Sequence, residues 1–200
     1  MTMTQTTNRK SLDLGCNNIP RNPFCYEELY GVDLASQVIE GVIYKQANLA
    51  LEPIPFADNY FDCVSAFDFI EHVPRQLLSV DTAKTRLPFI ILMNEIWRVL
   101  KPDGIFYAVT PAYPSAAAFQ DPTHVNIITK ETHEYFCGIE PMAAMYGFTG
   151  RFKKIRIESV VFKTAVTAEQ TRQKFLYNLE KRIINPKRLS HLVWELRAIK

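Results

Sequence analysis

The feature that most constrains this chain is a series of apolar runs of strand length, separated by crossovers and turn-forming residues. Ser11 to Leu14 meets Gly15, Leu29 to Leu34 follows, and Val42 to Leu49 is a weaker third run. Phe61 to Phe67 and Ile105 to Thr110 are apolar at nearly every position. Such continuous runs suit strands buried on both faces, as in a parallel sheet. Between the last two, Leu87 to Leu100 carries Ile90, Ile91, Met93, Asn94, Trp97 and Leu100 at the three-to-four spacing of a helix, and Lys101-Pro102-Asp103-Gly104 stops it. Strand, crossover and strand in alternation predict an α/β fold: a mostly parallel seven-stranded sheet with helices on both faces.

The second half changes character. Pro111 and Pro114 open a long loop to about Ile128, and Thr129 is a good N-cap for a helix at Thr132 to Phe136. Phe152 to Thr164 alternates apolar and charged residues, which predicts a strand with one exposed face. Ala168 to Ile184 reads as helical and His191 to Ile199 as a last strand, so an antiparallel C-terminal strand pair is expected. With 200 residues, no internal repeat and 48% hydrophobic residues, the chain reads as one domain, 1–200.

A formal net charge of +2 argues against nucleic-acid binding by whole-molecule attraction. Two basic clusters, Arg151, Lys153, Lys154 and Arg156, then Lys181, Arg182, Lys187 and Arg188, read as solvated faces or as a patch for an anionic substrate. Cys16, Cys25, Cys63 and Cys137 show no C-x-x-C spacing, so no zinc site is expected. Free thiols in a reducing compartment are the plain reading. Met1 to Lys10 lacks the apolar core of a signal peptide, and no apolar run reaches spanning length, so a cytoplasmic protein is expected.

Ligands of open parallel sheets bind at the carboxyl ends of the strands. The first strand tip reads Leu12-Asp13-Leu14-Gly15-Cys16-Asn17 and the second Gly31-Val32-Asp33-Leu34. Gly15 permits a sharp turn and a close backbone approach to a ligand. Asp33 is placed to accept both hydroxyls of a ribose, and Asp13 to orient the loop or a cationic amino group. A dinucleotide would need G-x-G-x-x-G for its pyrophosphate. The single glycine followed by Asn17-Asn18-Ile19-Pro20 argues against that ligand.

Leu12 to Cys16 resembles motif I of class I S-adenosylmethionine (SAM)-dependent methyltransferases, and Gly31-Val32-Asp33 resembles their ribose-binding acid motif. Asn48-Leu49, Ile54-Pro55-Phe56 and Asn59 to Asp62 resemble the family's "D-L…L-P-F…S-F-D" passage. Phe67-Asp68-Phe69-Ile70-Glu71-His72-Val73 is similar to its "E-H-V" segment, and Arg98 to Gly104 to its "R-V-L-K-P-G-G". The resemblance spans roughly residues 11 to 140, with the motifs in order. It implies a Rossmann-like domain and SAM as cofactor. Asp13, Gly15, Cys16, Asn17, Asp33, Leu34, Asn48, Leu49, Phe67, Asp68 and Phe69 are the implied cofactor-binding residues. Asn17 stands where the family has Gly, and Asn tolerates left-handed backbone. Asn48 stands where Asp commonly meets the adenine amino group, and its carbonyl oxygen still accepts that bond. Only about ten residues precede motif I. Helices that cover the site in relatives are therefore not expected here, and either the site is more open or a homodimer partner or another chain covers it.

Methyl transfer is an in-line displacement, with a base where the acceptor is a hydroxyl. His72 follows the fourth strand and reads either as that base or as a cap for its segment. His124 and Asp121 lie in the polar loop Phe119 to Val125, which overhangs the pocket. They read as base and orienter, or as turn residues, and two residues are too few for a metal site. Tyr113 could line an acceptor pocket. His133, His191 and Trp97 read as bland core or surface residues. No N/D-P-P-Y motif for nucleobase amino groups is present. The runs Arg21 to Phe24, Ala66 to Arg75, Leu92 to Ile96 and Asp121 to Asn126 resemble a bacterial subgroup associated with surface-polysaccharide gene clusters. That implies a small-molecule or glycan hydroxyl, a sugar, as acceptor. RNA or protein methylation, or a non-catalytic binding module on the same fold, are the alternatives.

Overall fold

The protein is described from a computed structural model covering residues 8–79, 84–173 and 189–200. Among the described residues there are nine strands: β1 (Lys10–Leu14), β2 (Glu28–Asp33), β3 (Val42–Gln46), β4 (Phe61–Phe67), β5 (Leu77–Ser79), β6 (Lys84–Arg86), β7 (Leu100–Pro111), β8 (Phe152–Val160) and β9 (His191–Ala198). Seven form one sheet in the order β3-β2-β1-β4-β7-β9-β8, and β5 and β6 pair separately. The pairs from β3 to β7 are all parallel, whereas β9 is antiparallel to both β7 and β8. β9 is therefore the single reversed strand of this sheet. The mostly parallel sheet and the antiparallel C-terminal pair are as the sequence predicts. Strand order reverses between β1 and β4, the place where open α/β sheets bind ligands.

Each strand divides its side chains between two cores. On one face, Leu12, Leu14, Val64, Ala66, Phe106, Ala108, Trp194 and Leu196 pack with Phe89, Leu92, Met93, Ile96 and Val99 of helix α1 (Pro88–Val99). Those helical positions recur at three and four residues, so α1 lays one continuous stripe on the sheet. Its first turn carries Pro88, whose missing N–H costs nothing there. The helix ends at Val99, and the Lys101-Pro102-Asp103-Gly104 stop lies inside β7 rather than before it. Asp103 takes a positive φ of 62°, and the β4–β7 register shifts between Phe61 and Cys63.

The other face is smaller and more polar. Cys63, Phe67, Tyr107, Val109 and Val193 are covered by Phe24 and Tyr26 from the loop after β1, and by Phe162, Ala165 and Ala168. Helix α2 (Ala168–Gln173) supplies the last of these, and the rest of the helix expected to Ile184 lies outside the described residues. Neither residues 15–27 nor residues 34–41 form a helix. Asn17, Asn18, Pro20, Asn22 and Pro23 favour turns over helix in the first crossover. Asn22 instead closes a loop, its Oδ1 accepting from Tyr26 N at 3.0 Å while its Nδ2 donates to Tyr26 O at 2.7 Å.

Asp13 holds this crossover on the sheet. Its carboxylate is fully buried and accepts from Arg21 N at 2.8 Å and Ser65 Oγ at 2.7 Å. Burial pushes its carboxyl up to about 7, against the pull of those two donors. The folded state therefore binds the Asp13 proton more tightly than the unfolded chain does. Its contribution to stability is complete below the ordinary value of 3.8 and is lost as pH rises through about 7. Wild-type thermal stability is expected to fall between pH 4 and pH 8 by on the order of 3–4 kcal/mol from this group. Asp13→Asn is expected to flatten that slope, measured by thermal denaturation across the pH series. An unchanged slope would show that Asp13 does not carry it.

Candidate active site

The carboxyl ends of β1 and β2 are laced together by backbone. Gly15 N and Cys16 N both donate to Val32 O, at 2.9 and 3.3 Å. Gly15 has φ +65°, and a Cβ there would lie 2.4 Å from the Phe69 ring, so only glycine fits. Asn17 also takes left-handed backbone, φ 48°, and its N–H donates to Asp33 Oδ2 at 2.8 Å. Leu34 N donates to Asp33 Oδ1 at 2.6 Å. Two backbone donors thus fix the Asp33 carboxylate. A carboxylate offers about four acceptor positions, which leaves two for hydroxyl donors.

These tips open into a cleft of about 390 Å³ lined by Gly15, Asp33, Leu34, Asn48, Leu49, Phe69, His72 and Thr123, among others. The size is in the range of small-molecule sites, ~300–1,000 Å³. Apolar Leu34 and Leu49 beside the Asn48 amide suit a base, and the fixed Asp33 carboxylate suits a ribose diol. The residues present therefore fit the nucleoside half of SAM. The Asn48 side chain also makes a local turn, its Oδ1 accepting from Ala50 N at 3.2 Å.

Gly15, Asp33, Leu34, Asn48, Leu49 and Phe69 of the expected cofactor set thus meet in the cleft, and the others stand apart. Asp13 lies beneath the turn as its orienter. Cys16 is buried with Sγ 2.7 Å from where a Gly31 Cβ would be, and burial pushes its thiol up to about 12. Asn17 is exposed and acts through its backbone. Phe67 does not line the cleft. Strand alternation turns its ring into the second core, 5.9 Å from Tyr107 and under the Arg21 guanidinium. Asp68 does not line it either. Its φ of 47° swings the carboxylate to His191, with Oδ1 accepting from Nε2 at 3.1 Å.

The far end of the cleft is made by the turn Ile70–His72 and the loop after β7. Glu71 is 1% exposed, and its backbone oxygen accepts from Val125 N and Asn126 N at 3.0 and 2.9 Å. The Asn126 amide donates to Ile70 O, and Arg75 donates to Asn126 Oδ1 and to Ile127 O. The clamp brings the His72 and His124 rings to 4.7 Å, edge to face. Thr123 Oγ1 donates to Asp121 Oδ1 at 2.7 Å, so it accepts from His72 Nδ1 at 3.0 Å. His124 Nδ1 faces the Ala118 carbonyl at 3.3 Å, which can only accept. Both imidazoles therefore carry a proton on Nδ1.

Asp121 holds His72 through Thr123 and also faces His124. Its carboxylate is 4.0 Å from His124 Nε2, and the Thr123 bonds lower its pKa. Glu71 and Thr123 were not singled out from the sequence, although Glu71 stands inside the "E-H-V" run. Burial pushes the Glu71 carboxyl up to about 8, its Oε2 accepts from Thr110 Oγ1 at 2.9 Å, and Oε1 has no hydrogen-bond partner. His191 is more than a bland residue. It bridges Ser190 Oγ, 2.7 Å from Nδ1, and Asp68, tying the start of β9 to the tip of β4. Both its nitrogens are occupied, which leaves no lone pair for a substrate proton.

Residues 12–108 match the methyltransferase domain family. Three solved structures share the fold. A methyltransferase from Mesorhizobium loti described as SAM-dependent is 15% identical, with 95% of this chain and 91% of that one covered at a TM-score of 0.55. A Bacillus halodurans methyltransferase is 14% identical, with 96% and 94% covered at 0.53. The structure of the Haloferax volcanii Trm112 methyltransferase activator in complex with a methyltransferase matches at 13% identity, with 96% and 84% covered at 0.56. No curated protein matches the sequence. Among the described residues, no helix is long and apolar enough to cross a membrane. Residues 12–108 thus resemble a methyltransferase domain, and the fold is the one these solved methyltransferases share.

Proposed function

We propose that this chain is a cytoplasmic enzyme that methylates a hydroxyl of a small-molecule or glycan acceptor, a sugar of the kind built into bacterial surface polysaccharides. The observation that carries the proposal is His72, which lines the cleft together with Asp33 and Gly15 and packs its ring against that of His124. An alcohol oxygen must lose its proton as it is methylated, so a hydroxyl acceptor needs such a base. The sugar assignment rests on the sequence resemblance, and the polar side chains at this end of the cleft suit it.

SAM supplies an electrophilic methyl group on a sulfonium. Asp33 would hold the ribose hydroxyls of SAM, Leu34 and Leu49 would flank its adenine, and Asn48 would meet the amino group. Gly15 lets the backbone close on the cofactor beside Phe69. His72 Nε2 takes the acceptor proton while Thr123 and Asp121 hold its Nδ1–H in place. His124 packs against His72. RNA or protein methylation has less support, because Arg156 of the first basic cluster spends its charge on Glu158 and Glu195.

A screen of sugars and nucleotide sugars with SAM, read by mass, is expected to show the gain of one methyl group. Products confined to amines or RNA would overturn the hydroxyl assignment. By calorimetry, Asp33→Ala is expected to weaken SAM binding at least tenfold, about 1.4 kcal/mol, and Gly15→Ala is expected to do the same. Unchanged affinity in Asp33→Ala would move the cofactor elsewhere. His72→Ala is expected to cut turnover by about 10²–10⁴-fold. If His72→Ala and His124→Ala both keep full turnover, neither is the base.

A further inference from the structure

Glu71, His72 and His124 come from two segments far apart in sequence, and each presents one potential ligand atom within 4.8 Å of the other two. Three features suit them to metal binding. The His124 Nδ1–H is held by the Ala118 carbonyl, and the His72 Nδ1–H by Thr123 and through it Asp121. A backbone carbonyl or carboxylate behind each imidazole is the outer-shell arrangement that orients metal-ligating histidines and leaves Nε2 to bind. The third ligand is a carboxyl from a residue 1% exposed, and its Oε1 is buried without a hydrogen-bond partner. A buried polar atom without a partner is a cost that an ion would remove. The loop that carries His124 is fastened to Glu71 by two backbone hydrogen bonds, so the cluster is built rather than accidental.

We propose that Glu71, His72 and His124 form a binding site for a divalent first-row transition-metal cation, Mn²⁺, Fe²⁺ or Zn²⁺. Two imidazoles and one carboxylate with open positions favour such ions over Mg²⁺ and Ca²⁺, which take oxygen ligands. Bonds of about 2.1 Å place ligand atoms about 3–4 Å apart, within reach by small side-chain rotations. The site stands on this geometry and does not depend on the methyl acceptor. Because His72 also lines the cleft, a bound cation would stand beside the cleft.

Titration of the metal-free protein with Mn²⁺ alone, and separately with Zn²⁺ alone, is expected to show one ion per chain by calorimetry and, for Mn²⁺, by electron paramagnetic resonance. SAM and acceptor are left out, so the result is independent of methyl transfer. Loss of outer-shell support costs about 10–100-fold in affinity, and loss of a ligand is expected to cost at least about 100-fold. Glu71→Gln, which keeps the shape and the Thr110 bond, and His124→Ala are the ligand variants. The exposed Thr123→Val removes the His72 partner and is expected to weaken binding about tenfold even if Glu71→Gln folds poorly. His191→Ala is expected to bind as the wild type does. Absence of binding at millimolar ion, or affinity that survives in the ligand variants or falls only in His191→Ala, would overturn the site. Metal binding without methylation of any sugar would leave the site standing and remove the sugar assignment instead.

Discussion

The Gly15 turn is the constraint on which the rest of the site depends. Its left-handed backbone lets Gly15 N and Cys16 N share the Val32 carbonyl, which sets the tips of β1 and β2 side by side. Asn17 then reaches Asp33, and the Phe69 ring closes over the space a side chain at position 15 would fill. Beneath the turn, Asp13 fastens the following loop through Arg21 and fastens β4 through Ser65. A crossover with no helix is thereby held on the sheet, because several of its backbone donors are met by side chains and by the neighbouring strand.

The two ends of the cleft use acids differently. Asp33 is half-exposed and held by backbone N–H groups, so it remains an acceptor for a ligand. Glu71 is buried, takes a hydroxyl from Thr110, and faces the histidine pair. Burial disfavours the charged form of a carboxyl unless donors or a cation compensate, which is why the two acids suit different tasks. The histidines differ in their partners. His191 has both nitrogens bound and acts as a strut between strands, whereas His72 and His124 each hydrogen-bond through Nδ1.

Much of the strand framework was legible in the sequence. Phe61–Phe67 matches its predicted bounds, and β1, β2 and β9 fall within one residue at each end. A continuous apolar run has few alternatives to a buried strand. The β5–β6 pair was not legible, since Leu77–Ser79 and Lys84–Arg86 are short and mixed in character. Nor was the start of β7 at Leu100, because Pro102, Asp103 and Gly104 read locally as a stop while pairing to β4 carries the strand through them. At the site, Gly15 and Asp33 were legible because backbone conformation and strand-tip position are local properties. Phe67 and Asp68 were misplaced in the cleft. Strand alternation sends Phe67 to the opposite face, and a positive φ at Asp68 sends its carboxylate to β9.

The sequence by itself determined the sheet, the turn that opens the cleft and the acid at the second strand tip. Periodicity, glycine placement and strand ends are written within a few residues of one another. Only the tertiary structure decided that His72 meets His124 rather than standing alone, that Asp121 works through Thr123, and that Glu71 completes the cluster. Those residues lie on segments about fifty positions apart. Their meeting is enforced by backbone hydrogen bonds from Val125 and Asn126 to Glu71, contacts that no local pattern encodes.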